Sequence, residues 1–293
     1  MCDRYDDKVA VVLVNYNGKI YIKQCLNSIF CQTYKNIMVI VVDNCSTDNS
    51  PDIIKETYPN VCLIRNNENT GFAKGNNIGI EYALQQGADY ILLLNIDTWI
   101  DNDMIKYLVQ HASPSIVTVP KIYCDRRLSK IWYAGGEIDY YNGNVYHCAY
   151  KDFQKIRKVS FACGCCVLIH ADILKQVGMF DEKYYLYFED VDLSIRMLEA
   201  GKEIFLVQGA KMWHKIGGTG GKDATFLKNY YMVRNRLYFI KKHAEAFQTS
   251  YFKTSLNLFW KNVLRECGIE KRKYAWRGIR DFYLGRMYKY KNK

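Results

Sequence analysis

The chain has 293 residues, with 49% hydrophobic and 24% charged side chains and a formal net charge of +11 at pH 7. These values are ordinary for a globular protein with one large domain or two small ones. A membrane-spanning protein is excluded at this stage, because no apolar run approaches the roughly 18–20 residues that a transmembrane helix requires.

The eleven cysteines are scattered through apolar segments, and no signal peptide precedes them. This pattern predicts reduced thiols in a cytoplasmic protein rather than a disulfide framework. The dense cluster "ACGCC" (162–166) has no second Cys/His pair at zinc-ligand spacing. We therefore interpret Cys163, Cys165 and Cys166 as small buried residues.

Strand-like and helix-like patterns alternate over the first 120 residues. Four apolar runs predict buried strands: "VAVVLV" (9–14), "IMVIVV" (37–42), "VCLI" (61–64) and "YILLL" (90–94). Helical periodicity follows the first and the second of these runs and also covers residues 72–86. Short links between strand and helix favour a mainly parallel sheet with helices on both faces. The predicted fold class is α/β.

The later part of the chain is less regular. "YYNGNVY" (140–146) predicts a hairpin turning at Asn142-Gly143, "CVLIH" (166–170) a strand, and residues 171–177 and 226–242 helices.

Each of the four early strands ends in a polar cluster. These clusters are, in chain order, Asn15-Tyr16-Asn17, Asp43-Asn44, Arg65-Asn66-Asn67 and Asn95-Ile96-Asp97. Ligands of open parallel sheets bind beyond the carboxyl ends of the strands. We therefore expect these clusters to converge on one binding crevice.

Two of these aspartates have both a functional and a structural interpretation. Asp97 could hold a divalent cation that bridges two phosphates, or it could simply begin an Asx turn. Asp43 could accept a hydrogen bond from the N3–H of a pyrimidine base, or it could cap the next helix.

The segment "NTGFAKGNNIG" (69–79) is rich in glycines and amides and could line a diphosphate. Its candidate nucleotide-binding residues are Asn69, Gly71, Lys74 and Asn76. It matches neither the Walker pattern nor G-x-G-x-x-G, which disfavours a P-loop ATPase and a standard dinucleotide site. His214, in "WHKIGGTGG" (213–221), is a candidate metal or phosphate ligand, although most histidines are structural or exposed.

"YLYFEDVDLSIR" (186–197) places Glu189, Asp190 and Asp192 at the start of a predicted amphipathic helix. The structural interpretation is that acidic residues favour a helix N-terminus and that Asp192 pairs with Arg196. The functional interpretation is that one carboxylate does chemistry.

Residues 245–293 contain twelve Lys/Arg and four Asp/Glu, interleaved with eleven aromatic residues. Such a segment is typical of a helix at an anionic membrane surface. The alternative is a helical extension that packs on the preceding domain through Trp260 and Trp276. No nucleic-acid-binding motif is present, so a nucleic-acid partner is not expected.

The motifs "VVLVNYNG", "SIFCQTY", "VVDNCSTDNS", "NTGFAKGNNIG", "LLLNIDT", "GMFDEKYYLYFEDVDLSIRMLEAG", "WHKIGGTGG" and "YYMVRNRL" occur in this order. Together they resemble the family-two glycosyltransferases of the GT-A fold, in particular the rhamnosyltransferase-like branch. The resemblance covers roughly residues 8–240. It implies a catalytic domain at 1–244 and a helical extension at 245–293, where "AWRGIRDFYLGR" (275–286) resembles the ending of that branch.

The resemblance implies an inverting transfer of a sugar from a nucleotide diphosphate sugar to an acceptor hydroxyl. Asp43 would contact the nucleobase, Asp97 would bind Mg²⁺ or Mn²⁺, His214 would join the metal or diphosphate site, and Asp190 would be the general base. Asn95 replaces the first aspartate of the D-x-D motif and would bind a ribose or a metal-bound water without adding charge.

Glu189 would bind an acceptor hydroxyl, while Tyr185, Tyr187 and Phe188 would form a wall against the sugar. These assignments give the acidic cluster a catalytic interpretation, because a sugar hydroxyl attacks more readily when a carboxylate accepts its proton.

The branch suggests dTDP-rhamnose as donor, with a UDP-hexose as alternative, and a surface glycan or lipid-linked precursor as acceptor. The protein would then work on the inner face of the cell membrane. Processive synthases usually carry Q-x-x-R-W and transmembrane helices, and this chain has neither. A nucleotidyltransferase and an inactive nucleotide- or sugar-binding module remain as alternatives, and a homodimer is left open.

Overall fold

The computed structural model describes residues 6–124, 130–149, 155–215 and 222–291. The strands in these ranges are β1 Val9–Asn15, β2 Ile37–Asp43, β3 Cys62–Arg65, β4 Tyr90–Leu94, β5 Thr98–Ile100, β6 Ile116–Cys124, β7 Ile131–Tyr133, β8 Gly136–Asp139, β9 Asn144–His147, β10 Ile156–Lys158, β11 Cys166–His170 and β12 Glu203–His214.

The α-helices in these ranges are α1 Lys19–Phe30, α2 Ser50–Thr57, α3 Gly71–Gln85, α4 Met104–His111, α5 Ala171–Val177, α6 Glu189–Glu199, α7 Lys222–Lys242, α8 Tyr251–Phe259 and α9 Ile269–Tyr283. A short 3₁₀ helix spans Glu182–Tyr184, and a π-helical turn, Trp260–Leu264, continues α8.

The main sheet has the strand order β10-β12-β6-β11-β4-β1-β2-β3. β3, β2, β1 and β4 run parallel to one another, as do β6 and β12, whereas β11 is antiparallel to both β4 and β6. The aliphatic runs of β1 and β4 are almost entirely inaccessible to solvent, because other elements cover both faces of the sheet. The predicted α/β class with a mainly parallel sheet flanked by helices is confirmed.

The local predictions of the later region are also confirmed. β11 and α5 have the predicted bounds, and β8 and β9 pair as an antiparallel hairpin that turns through Asn142 and Gly143. Gly143 has φ +68° there, a left-handed conformation that such turns need.

The C-terminal helices build a second, smaller core against α7. Its buried members come from α7, α8 and α9: Val233, Leu237, Leu258, Ala275, Ile279 and Phe282. A Cβ on Gly278 would lie 2.8 Å from the carbonyl oxygen of Tyr230, so only glycine lets α9 approach α7 this closely. The predicted helical extension is thus present. No helix in the described ranges combines the length and apolar character that a membrane crossing demands.

Candidate active site

The first two strands end side by side and share a hydrogen bond. Asn15 and Asp43 are register partners in β1 and β2, and the amide Nδ2 of Asn15 donates to Asp43 Oδ1 over 2.7 Å. Asp43 Oδ2 accepts from the backbone N–H of Ser46 at 3.1 Å. Asn15 Oδ1 is buried and has no hydrogen-bond partner among the described residues. An acceptor atom is therefore available beside the Asp43 carboxylate.

The third strand end is joined to this pair through Asn44, which follows Asp43 in the polar cluster at the end of β2. The Asn44 Nδ2 donates to the carbonyl of Gly71 at 2.9 Å, and its Oδ1 accepts from the side chains of Asn66 and Thr70. Asn69 Oδ1 accepts from the N–H of Gly71 at 2.9 Å. These bonds fix the segment that enters α3 against the ends of β2 and β3.

Gly71 permits a close approach that no other residue would allow. Its φ is +85°, and a Cβ there would lie 2.5 Å from the ring of Tyr185 and 2.6 Å from the Tyr185 carbonyl oxygen. The loop before α6 is thus packed directly on the N-terminus of α3.

The other candidate nucleotide-binding residues lie at different depths. Lys74 is exposed on α3, whereas Asn76 is buried and its Nδ2 donates to the Phe72 carbonyl oxygen at 2.9 Å. The backbone N–H of Asn17 donates to Ser46 Oγ, and Asn17 Oδ1 accepts from the N–H of Thr47. In this structure Asn76 bonds within its own helix, Asn17 bonds to the 46–47 loop, and Lys74 extends into solvent.

Asp97 and His214 face each other at the fourth strand end. β5 and β12 pair antiparallel with Thr98 opposite His214, which brings His214 Nε2 to 3.1 Å from Asp97 Oδ1. Each side chain is 11% exposed. The His214 Nδ1 is buried without a hydrogen-bond partner in the described part of the chain. A carboxylate and an imidazole thus meet at one point that solvent can reach.

A small cavity of about 80 Å³ adjoins Asp97 and is lined by Tyr21, Gln24 and Lys215, among others. The described residues contain no group of three or more His, Cys, Asp or Glu that could hold a metal ion. Within the described residues, Asp97 and His214 are therefore a candidate ligand pair, with Asn95 as a neutral neighbour in the chain.

Asn95 links the strand ends to the acidic helix. Its backbone N–H donates to the Cys165 carbonyl oxygen at 3.0 Å, and the N–H of the neighbouring Gly164 donates to Asp190 Oδ2 at 2.9 Å. As predicted, Cys163, Cys165 and Cys166 are buried. The patterns nevertheless missed Gly164, whose backbone holds the candidate base.

Asp190 lies in the first turn of α6, where its Oδ1 also accepts from the N–H of Val191 at 2.9 Å. Burial raises the pKa of Asp190 above its ordinary value, although the hydrogen bonds from Gly164 and Val191 oppose the shift. A carboxylate with a raised pKa is a stronger proton acceptor than an exposed one.

Glu189 is 4% exposed, and its Oε2 has no hydrogen-bond partner among the described residues. Burial, together with the negative charge of Asp190, raises the pKa of Glu189 well above its usual range. A raised pKa favours the neutral carboxylic acid, which can donate one hydrogen bond.

The surroundings of Asp192 agree with its structural interpretation as a partner of Arg196. Its carboxylate accepts from Arg196 Nε at 3.0 Å, as predicted, and also lies 2.8 Å from Lys242 Nζ and 2.9 Å from His243 Nε2. Burial alone would raise its pKa, but the hydrogen bond from His243 and the charges of Lys242 and Arg196 outweigh burial and lower the pKa to about 2.

The expectation that Phe188 walls the sugar site is wrong. Phe188 is buried and packs on Phe239 with ring centroids 5.5 Å apart, because the chain turns inward before α6. Tyr185 stacks on Tyr231 of α7 at 5.3 Å, and Tyr187 is partly exposed beneath Lys228.

Arg234 and Asn235 of α7 are both fully buried and bond to the backbone of the loop before α6. The sequence patterns gave them no role. The available signal was a charged residue and an amide side by side within the apolar helix segment "YYMVRNRL".

Several solved structures share this fold. Staphylococcus aureus TarS 1–349 in complex with UDP-GlcNAc superposes with a TM-score of 0.60 at 16% identity, over 94% of this chain and 80% of that one. The mannosyltransferase PcManGT from Pyrobaculum calidifontis, in complex with GDP-Man and Mn²⁺, gives a TM-score of 0.58 at 14% identity, over 95% and 86%. The fold is that of the GT-A glycosyltransferases.

Sequence comparison identifies the family. The family described as Glycosyl transferase family 2 matches residues 10–178, more than half of the chain. The protein is a glycosyltransferase and belongs to this family. The N-acetylglucosaminyl-diphospho-decaprenol L-rhamnosyltransferase of Mycobacterium tuberculosis is 28% identical over 247 residues, covering 75% of this chain and 80% of that protein. The dTDP-rhamnosyl transferase RfbF of Shigella flexneri is 27% identical over 247 residues, covering 81% of each. The predicted membership of the rhamnosyltransferase-like branch is confirmed.

Proposed function

We propose that the protein is an inverting, non-processive transferase that moves rhamnose from dTDP-rhamnose, or otherwise a hexose from a UDP-hexose, to an acceptor hydroxyl. The observation that carries this proposal is Asp190, a carboxylate of raised pKa held by Gly164 beside the strand ends. The names of the two bacterial relatives support rhamnose, and the mycobacterial name supports a lipid-linked precursor of a surface glycan as acceptor.

In the proposed reaction Asp190 accepts the proton of the acceptor hydroxyl while the hydroxyl oxygen attacks the anomeric carbon. The bond from that carbon to the diphosphate oxygen breaks on the opposite side, so the anomeric configuration inverts. General-base assistance of this kind is worth about 10²–10⁴-fold in rate. Glu189 binds an acceptor hydroxyl, and its raised pKa favours the neutral form, which adds no negative charge beside the base.

The donor is proposed to bind across the strand ends. Asp43 accepts a hydrogen bond from the N3–H of the pyrimidine base with Asn15 beside it, and Asn95 binds the ribose, while the segment that contains Asn69, Gly71, Lys74 and Asn76 borders the diphosphate. Asn17 supports this site through its bonds to the 46–47 loop.

A divalent cation, Mg²⁺ or Mn²⁺, is proposed to bind at Asp97 and His214. The fit is supported by a carboxylate oxygen and an imidazole nitrogen 3.1 Å apart, both of which are ligand types that Mn²⁺ accepts. When bound, the cation would neutralise the charge of the departing diphosphate. Asp97 and His214 orient the donor at this end of the crevice.

The donor proposal is tested by thermal unfolding with dTDP, UDP, GDP and ADP, each with and without Mn²⁺ or Mg²⁺. A ligand that binds only the native state stabilises it by about 2.7 kcal/mol at one hundred times its Kd. We expect selective stabilisation by dTDP or UDP that is weakened in Asp97→Ala. Transfer from the corresponding nucleotide sugar is then measured, and the anomeric configuration of the product is read by NMR.

Equal or absent stabilisation by all four nucleotides would contradict the donor site. Nucleotide binding without transfer to any acceptor or to water would favour the alternative of an inactive binding module.

The catalytic domain is proposed to comprise residues 1–244, with residues 245–293 as a membrane-binding extension on the cytoplasmic face. α8 and its π-helical continuation expose one apolar residue per turn to solvent: Phe252, Leu256, Trp260 and Leu264. The opposite side of α8, at Thr254, Ser255 and Leu258, is buried against the neighbouring helices.

The charge of this surface suits an anionic bilayer. Lys253 and Lys261 are exposed on the same element and Arg265 directly after it, and Arg265 lies over the Trp260 ring at 5.3 Å. Aromatic rings at the headgroup level and cations on anionic lipids are the contacts of an interfacial helix. Trp260 is 54% exposed, which favours the membrane interpretation over packing on the catalytic domain.

Co-sedimentation with phosphatidylglycerol vesicles tests this surface. We expect the double variant Phe252→Ser/Trp260→Ser to bind at least tenfold more weakly than the native chain, and Tyr141→Ser, an exposed aromatic outside the extension, to bind normally. Equal binding by the double variant, or equal binding of the native chain to neutral phosphatidylcholine, would contradict the proposal.

A further inference from the structure

The segment that leads into α6 has an unusual backbone. Tyr185, Tyr187 and Phe188 have φ values of +65°, +70° and +74°, although none of them is a glycine. A left-handed conformation is unfavourable for bulky residues and persists only where the surroundings enforce it. We call residues 184–188 the catalytic turn, since they immediately precede Glu189 and Asp190.

Asn235 of α7 gathers the carbonyl groups of this turn. Its Nδ2 lies 2.9 Å from the carbonyl oxygen of Tyr184 and 2.8 Å from those of Leu186 and Tyr187. Three carbonyl oxygens converge on one amide group only when the chain curls around it. The left-handed residues provide this curl, so Asn235 stabilises the conformation that the turn would otherwise avoid.

Arg234 orients Asn235 and adds a second hydrogen bond to the catalytic turn. Its Nε donates to Asn235 Oδ1 at 2.9 Å, and its Nη2 donates to the Tyr184 carbonyl oxygen at 2.9 Å. The guanidinium carbon lies 5.0 Å from the ring centroid of Tyr231. A fully buried guanidinium is costly unless its donors are satisfied, and here they bond to backbone oxygens and an amide.

The C-terminal segment around Tyr288 also holds the catalytic turn, through Arg234 and Lys183. Arg234 Nη1 donates to the Tyr288 carbonyl oxygen at 2.7 Å, and the Tyr288 N–H donates to the Lys183 carbonyl oxygen at 3.0 Å. On the other side of the turn, the Tyr185 carbonyl oxygen accepts from Phe72 N–H at 2.8 Å, and Tyr185 Oη donates to Asn69 Oδ1. The catalytic turn thus joins α7 and the C-terminal segment to the candidate diphosphate segment.

We propose that Arg234 and Asn235 are positioning residues that hold the catalytic turn in its left-handed form and thereby place Asp190 and Glu189 at the donor crevice. The inference rests on the proposed role of Asp190 as general base. Neither residue touches the reacting atoms. A displacement of about 1 Å at a catalytic group can cost roughly 10²-fold in rate, so the loss of this support has a measurable effect.

The test compares Asn235→Ala with Asn229→Ala. Asn229 is on the same helix, and its Nδ2 donates to the Lys271 carbonyl oxygen of α9 at 2.8 Å, far along the chain from the catalytic turn. Both substitutions remove one amide, but only Asn235→Ala releases the turn. The thermal midpoint, the Kd for dTDP and UDP, and the kcat, KM and pH profile of transfer are measured for each.

We expect Asn235→Ala to lower kcat by about tenfold or more, with the nucleotide Kd changed by less than about threefold. Release of the turn also exposes Asp190, which lowers its pKa, so the acid limb of kcat moves to lower pH. Asn229→Ala should retain native kcat and pH profile. Arg234→Lys, which keeps the charge but loses the planar fork, should show an intermediate kcat.

A folded Asn235→Ala with native kcat and pH profile would overturn the proposal. Unfolding of both Asn235→Ala and Arg234→Lys, with Asn229→Ala intact, would show that the pair serves folding rather than positioning and would also overturn it. The proposed function itself fails only if the native chain transfers no sugar or if Asp190→Asn retains full activity, and both are measured in parallel.

Discussion

The proposed donor end of the site, at Asn15 and Asp43, and its proposed catalytic end, at Asp190, are supported in different ways. At the donor end, Asn15 and Asp43 are register partners on adjacent parallel strands, so the sheet alone brings them together. At the catalytic end, the turn before Asp190 is held by Asn235, which lies 48 residues from Tyr187 in the chain and on a separate helix. Regular secondary structure thus places Asp43, whereas tertiary contacts hold the irregular turn that precedes Asp190.

The largest expected effect is at the catalytic end. Asp190→Asn keeps the size of the side chain but removes the proton acceptor, and we expect kcat to fall by about 10²–10⁴-fold with nucleotide binding unchanged. In the native protein kcat should be lost as pH falls through the pKa of Asp190, which burial places above its usual value. A near-native kcat of Asp190→Asn would show that Asp190 is not the general base, and this end of the site could then not be called catalytic.

Gly71→Ala tests the contact between Gly71, at the donor end, and Tyr185, at the catalytic end. The new Cβ would collide with Tyr185 and would also be strained at φ +85°, so we expect a loss of about 2–4 kcal/mol in the free energy of unfolding. Gly87→Ala is the matched control, since φ there is +71° and no atom lies within 4 Å of its Cβ. Chemical denaturation should show a smaller loss for Gly87→Ala, and equal losses would mean that the contact with Tyr185 is unimportant.

Asp192 should stabilise the catalytic end at neutral pH. Because its pKa is lowered to about 2 in the folded state, its contribution is present above about pH 4 and is lost as pH falls towards 2. We expect Asp192→Asn to lower the free energy of unfolding by roughly 2–3 kcal/mol at pH 7 and by much less near pH 2. A loss that is the same at both pH values would contradict this linkage.

Glu189 should have the opposite effect on the pH dependence of stability. Its pKa is higher in the folded protein than in the unfolded chain, so its contribution to stability is full below about pH 4 and declines as pH rises towards the folded pKa. Glu189→Gln mimics the neutral acid and should flatten this decline in denaturant titrations between pH 4 and pH 8. An unchanged slope would show that Glu189 is ionised in the folded state.

The smallest expected effect is at the donor end. Asp97→Asn removes the charged ligand but keeps the shape, and we expect the Kd for the nucleoside diphosphate in Mn²⁺ to rise about tenfold, or about 1.4 kcal/mol. In EDTA the native and variant proteins should bind alike. Asp101→Asn, four residues further on, is the control and should bind normally in both conditions. A Kd in Mn²⁺ that Asp97→Asn leaves unchanged would exclude Asp97 as a metal ligand.

The same contrast explains how much of the protein could be predicted from its sequence. Continuous β-branched and leucine runs predicted β1, β2 and β4 because a strand buried on both faces must be apolar, and the polar residues after them predicted the crevice edge. Strand pairing then brings such residues together without further information. The placement of Asn15 beside Asp43 follows from this register.

The catalytic turn could not be predicted in this way. Phe188 was expected to face the sugar, but three left-handed residues rotate it into the core, and no periodic pattern encodes such a turn. Asn235 bonds to backbone carbonyls of a distant turn, and Gly164 donates its own backbone N–H to the Asp190 side chain. A single sequence therefore shows them only as a polar residue in an apolar helix and a glycine between cysteines. Their roles became visible once the three-dimensional contacts were known.

The hydrogen bond from Arg234 to the Tyr288 carbonyl oxygen has a consequence for biosynthesis. Residue 288 leaves the ribosome roughly a hundred residues after Asp190, a delay of about 5–20 s at typical rates of translation. During that interval β1–β4 have already been translated, whereas the catalytic turn lacks its last attachment. We expect hydrogen exchange on chains stalled before residue 288 to find the turn unprotected and the β1–β4 amides protected; equal protection would show that the turn locks without this attachment.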